Sequence, residues 1–543
     1  MRSSLAVRTA GWLAGLTAAL WMAAAGSAGA VTATTTSPSS TPTGSSPTGS
    51  WTVYHGDPAG RGVAVSQGTF DTTSQAWSSP ALDGYTYGEP LVLGHRVYVA
   101  TEKDTVYALS ARTGKVIWSR HLATPVPASS LPCGDITPTV GITGTPVIDP
   151  ARAEIFVVAD ELAHGHPAHV LAGLSTATGR VEMTRDVDPP GANTAALLQR
   201  TGLALAGGRV VFGFGGNDGD CATYRGRVVS VAETGGALSI FTVDGKAGQS
   251  QGAVWMGGAA PAVDSDGHVW VSAGNGSVYN ASRGYDDSDS VLELSSSMRL
   301  LQYFAPSNWA ANNSRDLDMS AEPALLPDGR VLIAGKSRIA YLLNGAHLGG
   351  IGTQLASLGP VCSEDVDGGA AAETGNTVYL PCAAGVVAVG ATSSPPGLRM
   401  LWSSPTGGGP PIVAGGLVWT ISQRGILYGL NPQTGHIRQQ GFLDGPEANH
   451  FPTPSVGAGL LLAPDGNRVV TFAHPGAAAS SAAASSAPVS PSPSGHASAA
   501  DQPGADAPSP PLSGGAIAAI VVGSLAVLGG IGWLVWRRVP NRS

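Results

Sequence analysis

Between Arg96 and His474, short apolar runs recur in pairs, each pair hinged by a glycine or polar turn. The clearest copy, RVYVATEKDTVYALSARTGKVIW at residues 96–118, reads strand, turn, strand, Thr-Gly turn, then a third strand with a Trp near its end. Weaker copies begin at Glu154, Arg209, His268, Arg330, Thr377, Leu417 and Gly459. Runs such as VYVA at Val97, IFVVA at Ile155 and VWVSA at Val269 are β-branched or aromatic and bounded by turn formers, which predicts strands. Thr113-Gly114, Thr178-Gly179, Thr234-Gly235 and Thr434-Gly435 mark tight turns in which glycine supplies a positive φ. A repeat of roughly 40–65 residues made only of short strands and turns predicts a propeller blade, because one such sheet cannot cover its own faces. Trp118 and Trp402, with Phe241 and Phe304, recur near the end of the third strand and are expected to pack between neighbouring blades.

The predicted fold is therefore all-β. It is an eight-bladed propeller of four-stranded antiparallel blades over residues 51–475, with a seven-bladed ring as the alternative. The early copies carry the longer loops, at residues 123–144, 216–225 and 274–319, and any site is expected to draw on these. The 75 glycines and 12% charged residues suit a chain dense in turns. A net charge of -8, with lysines only at Lys103, Lys115, Lys246 and Lys336, offers no basic stripe for phosphates, so nucleic acid is excluded as a partner.

Both ends differ in composition from the repeats. Arg2 and Arg8, an apolar run at 11–25 and Ala28-Gly29-Ala30 predict a signal peptide over residues 1–30. Residues 31–50 are a Ser/Thr/Pro-rich linker, and 476–512 an Ala/Ser/Pro-rich one expected to be disordered. Residues 514–536 are uncharged and long enough to cross a bilayer as a helix, and Arg537, Arg538 and Arg542 place the tail at 537–543 in the cytoplasm. The expectation is a single-pass membrane protein with its propeller on the extracellular side.

An even number of cysteines in an exported domain predicts disulfides. Of three pairings, proximity in the repeat order favours Cys133–Cys221 and Cys362–Cys382. No CxxC or CxxCH occurs, against a zinc knuckle or covalent haem.

The unit VYALSARTGKVIW, together with Trp51-Thr52-Val53-Tyr54-His55-Gly56-Asp57 at the start of the domain, resembles the pyrroloquinoline-quinone (PQQ) repeat family. That family holds quinoprotein alcohol dehydrogenases and non-enzymatic outer-membrane assembly lipoproteins, so the resemblance implies a fold and two kinds of function. By local context it places Glu161 and Asn275 as calcium ligands, Asp318 as calcium ligand and catalytic base, and Lys336 against the quinone carbonyl. Trp255 stands a few residues before the position of the tryptophan on which the quinone lies. The vicinal Cys-Cys that covers the quinone is absent, since all four cysteines are isolated.

Other clusters read as structural. Asp286, Asp287 and Asp289 lack EF-hand spacing and are expected to form a solvated acidic turn. GGNDGDC at 215–221 is equally ambiguous, and His164, His166 and His169 are expected in a polar exposed loop rather than on a metal. No G-x-S-x-G, P-loop or H-E-x-x-H occurs. The expected function is a membrane-tethered, cell-surface module binding a protein, glycan or small ligand, with no certain cofactor. The alternative is a PQQ- and calcium-dependent dehydrogenase of an alcohol or sugar.

Overall fold

In the computed structural model the described residues are 49–475, apart from 65–67, 367, 370, 374–375 and 446–449. The expected signal peptide, nearly all of the first linker, and the second linker with the C-terminal helix lie outside them. Among the described residues, no helix is long and apolar enough to cross a membrane.

Eight antiparallel sheets follow one another along the chain. Blade 1 is a meander of Leu91–Leu93, Arg96–Thr101, Thr105–Ser110 and Val116–His121, ordered from the inner to the outer strand. The second strands of blades 2 to 8 are Glu154–Ala163, Arg209–Gly216, Val269–Ala273, Arg330–Ile333, Thr377–Cys382, Leu417–Ser422 and Leu460–Asp465. Each sits at a repeat start read from the sequence, so eight blades stand and the seven-bladed alternative falls. Two blades also gain a short parallel strand, a departure from purely antiparallel sheets. Val63–Ala64 joins the inner strand of blade 7, and Gly350–Ile351 the outer strand of blade 4. Apolar residues of neighbouring sheets fill the space between them; Phe156, Phe212 and Phe214 are wholly buried in one such layer.

The eighth copy lacks a third strand of its own. Its outer strand is Trp77–Ser78, from the N-terminal side, which pairs antiparallel with Arg468–Ala473 and closes the ring. The preceding segment runs through the centre. Trp51 exchanges two backbone bonds of 2.7 Å with Val92 of blade 1, and Thr52 accepts from Ile148 of blade 2. Pro58 accepts from Val263 of blade 4, and Gly62 from Val413 of blade 7. His55 sits in this plug fully buried at φ 58°, its backbone N–H donating to Glu89 at 2.9 Å.

Tryptophans lock successive blades. Trp77, Trp118 and Trp402 stand in outer strands, and their indole N–H groups donate to Ala111, Thr176 and Pro432 of the next blade at 2.8, 3.1 and 2.8 Å. Each indole lies on a turn glycine: Gly114, Gly179 and Gly435 have φ of +68°, +68° and +69°, and a Cβ there would stand 2.5 Å from the ring. The glycine is thus required twice, for its backbone region and for the ring's approach. Gly179→Ala is expected to cost about 2 kcal/mol or more, from left-handed strain plus displacement of Trp118. Gly94→Ala, at φ +60° with open space around it, should cost only the strain of about 1 kcal/mol. Equal losses in thermal melts of the two variants would remove the docking contribution.

Candidate functional site

In each meander, the first-to-second and third-to-outer turns open on one face of the ring. The second-to-third turns and the blade connections open on the other. The long loops at 123–144 and 216–225 belong to this second face. The stretch 274–319, read from the sequence as one loop, is instead interrupted by the strands Ser290–Leu294 and Leu300–Ala305, so that only 274–289 and 306–319 lie there. On this face 123–144 and 216–225 contribute to the wall of a funnel cavity of about 190 Å³. Its wall includes Tyr87, Asp135, Arg200, Trp255, Lys336 and Phe451, supplied by six different connections or turns.

Arg200 is 8% exposed and lies 5.6 Å from the Tyr87 ring centroid and 5.4 Å from that of Phe451. It also donates to the His450 carbonyl at 3.1 Å. His450 Nδ1 meets Asp135 at 2.7 Å; that hydrogen bond holds the Asp135 carboxyl below its usual range and raises the imidazole above its own. Burial and the nearby Glu102 push the Tyr87 phenol up to about 12.

Lys336, at the second-to-third turn of blade 5, places Nζ 2.6 Å from Asp318 Oδ2 and 3.4 Å from Asp316 Oδ2. Asp318 Oδ1 accepts the Asn275 backbone N–H at 2.7 Å, and the Asn275 side-chain amide donates to Asp316 at 3.1 Å. Asn275 Oδ1 is buried without a hydrogen-bond partner among the described residues. Trp255 forms part of the same wall, its indole donating to the Gly216 carbonyl at 2.9 Å. Gly215 must be glycine, since a Cβ would fall 2.1 Å from that indole nitrogen.

Four of the five residues expected from the sequence therefore gather here: Asn275 and Asp318 bonded to each other, Lys336 bonded to Asp318, and Trp255 beside them. Glu161 does not join them. It lines a separate cavity of about 200 Å³ between blades 1 and 2, with Arg120 and His121. Burial first, then Asp186 and Asp188, raises its carboxyl above the usual range.

Two clusters read as solvated are in part folded inward. Asp286 and Asp289 are each 1% exposed. Asp286 accepts from Ser288 Oγ of the same turn at 2.6 Å, and Asp289 from the Asn312 amide at 2.6 Å, a donor supplied by the helix Trp309–Asn313. His164 and His166 are exposed at a hairpin tip as expected, but His169 is buried. Its Nδ1 lies 2.6 Å from Asp188 and its Nε2 3.5 Å from Asp160. Both disulfides expected from repeat order are formed, and Cys133–Cys221 abuts the funnel rim next to Asp135. Arg200, Tyr87, Asp135 and His450 were invisible to motif reading; only Asp135 lies in a loop, 123–144, whose length had pointed towards a site.

The model of the family "outer membrane protein assembly factor BamB" matches residues 29–149 and 60–299. Among solved structures, the quinohemoprotein alcohol dehydrogenase of Comamonas testosteroni is 14% identical, covering 78% of this chain and 80% of its own, with a TM-score of 0.59. Quinohemoprotein alcohol dehydrogenase ADHIIG of Pseudomonas putida HK5 gives the same four values. A europium-containing methanol dehydrogenase is 15% identical over 77% of this chain and 89% of its own, with a TM-score of 0.56. No curated protein sequence matches. At such identities the likeness is one of fold.

Proposed function

Since the chain belongs to the PQQ-repeat β-propellers, we propose that it is a binding module, tethered at the cell surface, that takes a protein, glycan or small ligand on its funnel face. The family model that it matches is named for an assembly factor, which agrees with a scaffold role. Tyr87, Trp255 and Phe451 beside Arg200 and Asp135 combine apolar faces with oriented polar groups, as recognition pockets do.

The observation that carries this reading is the state of Asp318. A general base must reach the proton it removes. Asp318 is 2% exposed, with one oxygen on the Asn275 N–H and the other on Lys336. Lys336, which lines the funnel, stands against it, and Asp318 itself is not part of the funnel wall.

A second reading, the PQQ- and calcium-dependent dehydrogenase, is favoured by the buried, unpartnered Asn275 Oδ1 next to a carboxylate, a donor pair suited to a hard cation. The remainder does not fit that pair of cofactors. Glu161 lies in another cavity, and the funnel's 190 Å³ falls short of the roughly 300 Å³ at which pockets begin to enclose drug-sized ligands.

Calorimetric titration of PQQ into the detergent-solubilised full chain, with and without Ca²⁺, separates the two. No heat is expected from the folded protein. Calcium-dependent binding at micromolar affinity, about -8 kcal/mol, would overturn the binding-module reading.

A further inference from the structure

On the face opposite the funnel, the turn between the first two strands of blade 4 brings together a second group of polar side chains. Asp264 and His268 lie four residues apart on this turn, and Glu293 comes from the third strand. His268 Nδ1 is 2.5 Å from Glu293 Oε1 and 3.8 Å from Asp264 Oδ2. One donor atom from each of the three lies within 4.8 Å of the other two. A tetrahedral zinc ion with bonds of about 2.0–2.2 Å sets its ligands roughly 3.3–3.6 Å apart. The two measured separations bracket that value. An ion replacing the proton between His268 and Glu293 therefore needs these side chains to part by about 1 Å.

The carboxylates are oriented by further bonds. Asp264 Oδ1 is occupied by the backbone N–H groups of Asp266 and His268, both at 2.9 Å, which turns Oδ2 towards the imidazole. The Trp270 indole donates to that Oδ2 at 2.8 Å. Gln302 donates to the second oxygen of Glu293 and is itself tied to blade 5, through the Gly345 carbonyl at 2.8 Å and the Leu348 N–H at 2.7 Å. Such outer partners fix ligand direction in metal sites. With a neutral imidazole the group carries two negative charges, matched to a divalent ion. Its mixed nitrogen and oxygen donors suit a transition cation better than calcium. The group also borders a cavity of about 670 Å³ between blades 4 and 5, so a fourth ligand position has room.

We propose that Asp264, His268 and Glu293 hold a divalent transition cation of the zinc class, with one coordination position open to the cavity between blades 4 and 5. The site is independent of the funnel and of any quinone.

The test uses the untagged full chain, stripped with a chelator and titrated with Zn²⁺ against a chromophoric competitor, with Co²⁺ as a spectroscopic substitute. One equivalent should bind, Co²⁺ should develop the absorption of a low-symmetry site, and Zn²⁺ should raise the melting temperature. His268→Ala is expected to weaken binding by about 100-fold or more, and Trp270→Phe, which removes the indole donor together with part of the ring, by about tenfold. Asp264→Asn keeps the volume of the site and serves if His268→Ala fails to fold. His164→Ala with His166→Ala, on the exposed hairpin, should change nothing. No binding at one equivalent, or binding unaltered in both His268→Ala and Asp264→Asn, overturns the proposal.

Discussion

Replacing His169 by alanine is expected to destabilise the propeller by about 3–5 kcal/mol at neutral pH, because it strips a cation from the buried Asp160 and the partly buried Asp188. His169 is 1% exposed, its ring edge-on to Phe214 at 4.9 Å between centroids. Burial alone would lower the imidazole's pKa, but Asp160 and Asp188 outweigh it and raise the value to about 10. A pKa above the ordinary 6.5 means that the folded state holds this proton more tightly than the unfolded chain does. The contribution is then complete below pH 6.5 and is lost as the pH climbs through 10. Asp160, raised chiefly by its own burial, acts in the same direction. Wild-type unfolding free energy should fall between pH 7 and 10, and the gap to the alanine variant should narrow along that limb. Denaturant titrations across this range check it; parallel curves would mean that the imidazole is neutral in the fold.

Removing Cys133–Cys221 by a double serine substitution should cost about 4–5 kcal/mol on the chain-entropy account, for half-cystines 88 positions apart. The same change at Cys362–Cys382, separated by 20, should cost about 3 kcal/mol. The first bridge ties the connection leaving blade 1 to the second-to-third turn of blade 3, skipping over blade 2. It thereby restrains the unfolded chain over a whole blade. Its loss should also loosen Asp135 from His450, two residues beyond Cys133, and so slacken the funnel rim. Thermal melts of the two double variants rank them. A larger loss at the shorter loop would show that native-state contacts, not chain entropy, set these values.

Strand pairs long enough to alternate were legible in the sequence, which is why all eight second strands fell at predicted starts. The inner strands were not: Leu91–Leu93, Ile412–Ala414 and their equivalents run two or three residues, too short to show a period. Nor was the closing strand, since Trp77–Ser78 finds its partner almost the whole domain away. The grouping of Asn275, Asp318 and Lys336 followed from local context because all three sit on turns of blades 4 and 5 and the link between them. Glu161 had to be carried across two blades, where ring geometry outweighs sequence order. Arg200 and His169 belong to no motif. What defines them is burial beside aromatic rings or carboxylates, a property of the closed ring that single-chain patterning does not encode.

Ring closure has a consequence for biosynthesis. The Thr471 hydroxyl donates to the Trp77 carbonyl across 394 positions of sequence, so a strand among the first to leave the ribosome has no partner until the last is made. At about 5–20 residues per second, that wait is roughly 20–80 s. Throughout it the nascent domain presents an open rim on either side. A chain released before Arg468 cannot seal itself, and quality-control proteases should recognise such a product by the unpaired edges it keeps exposed.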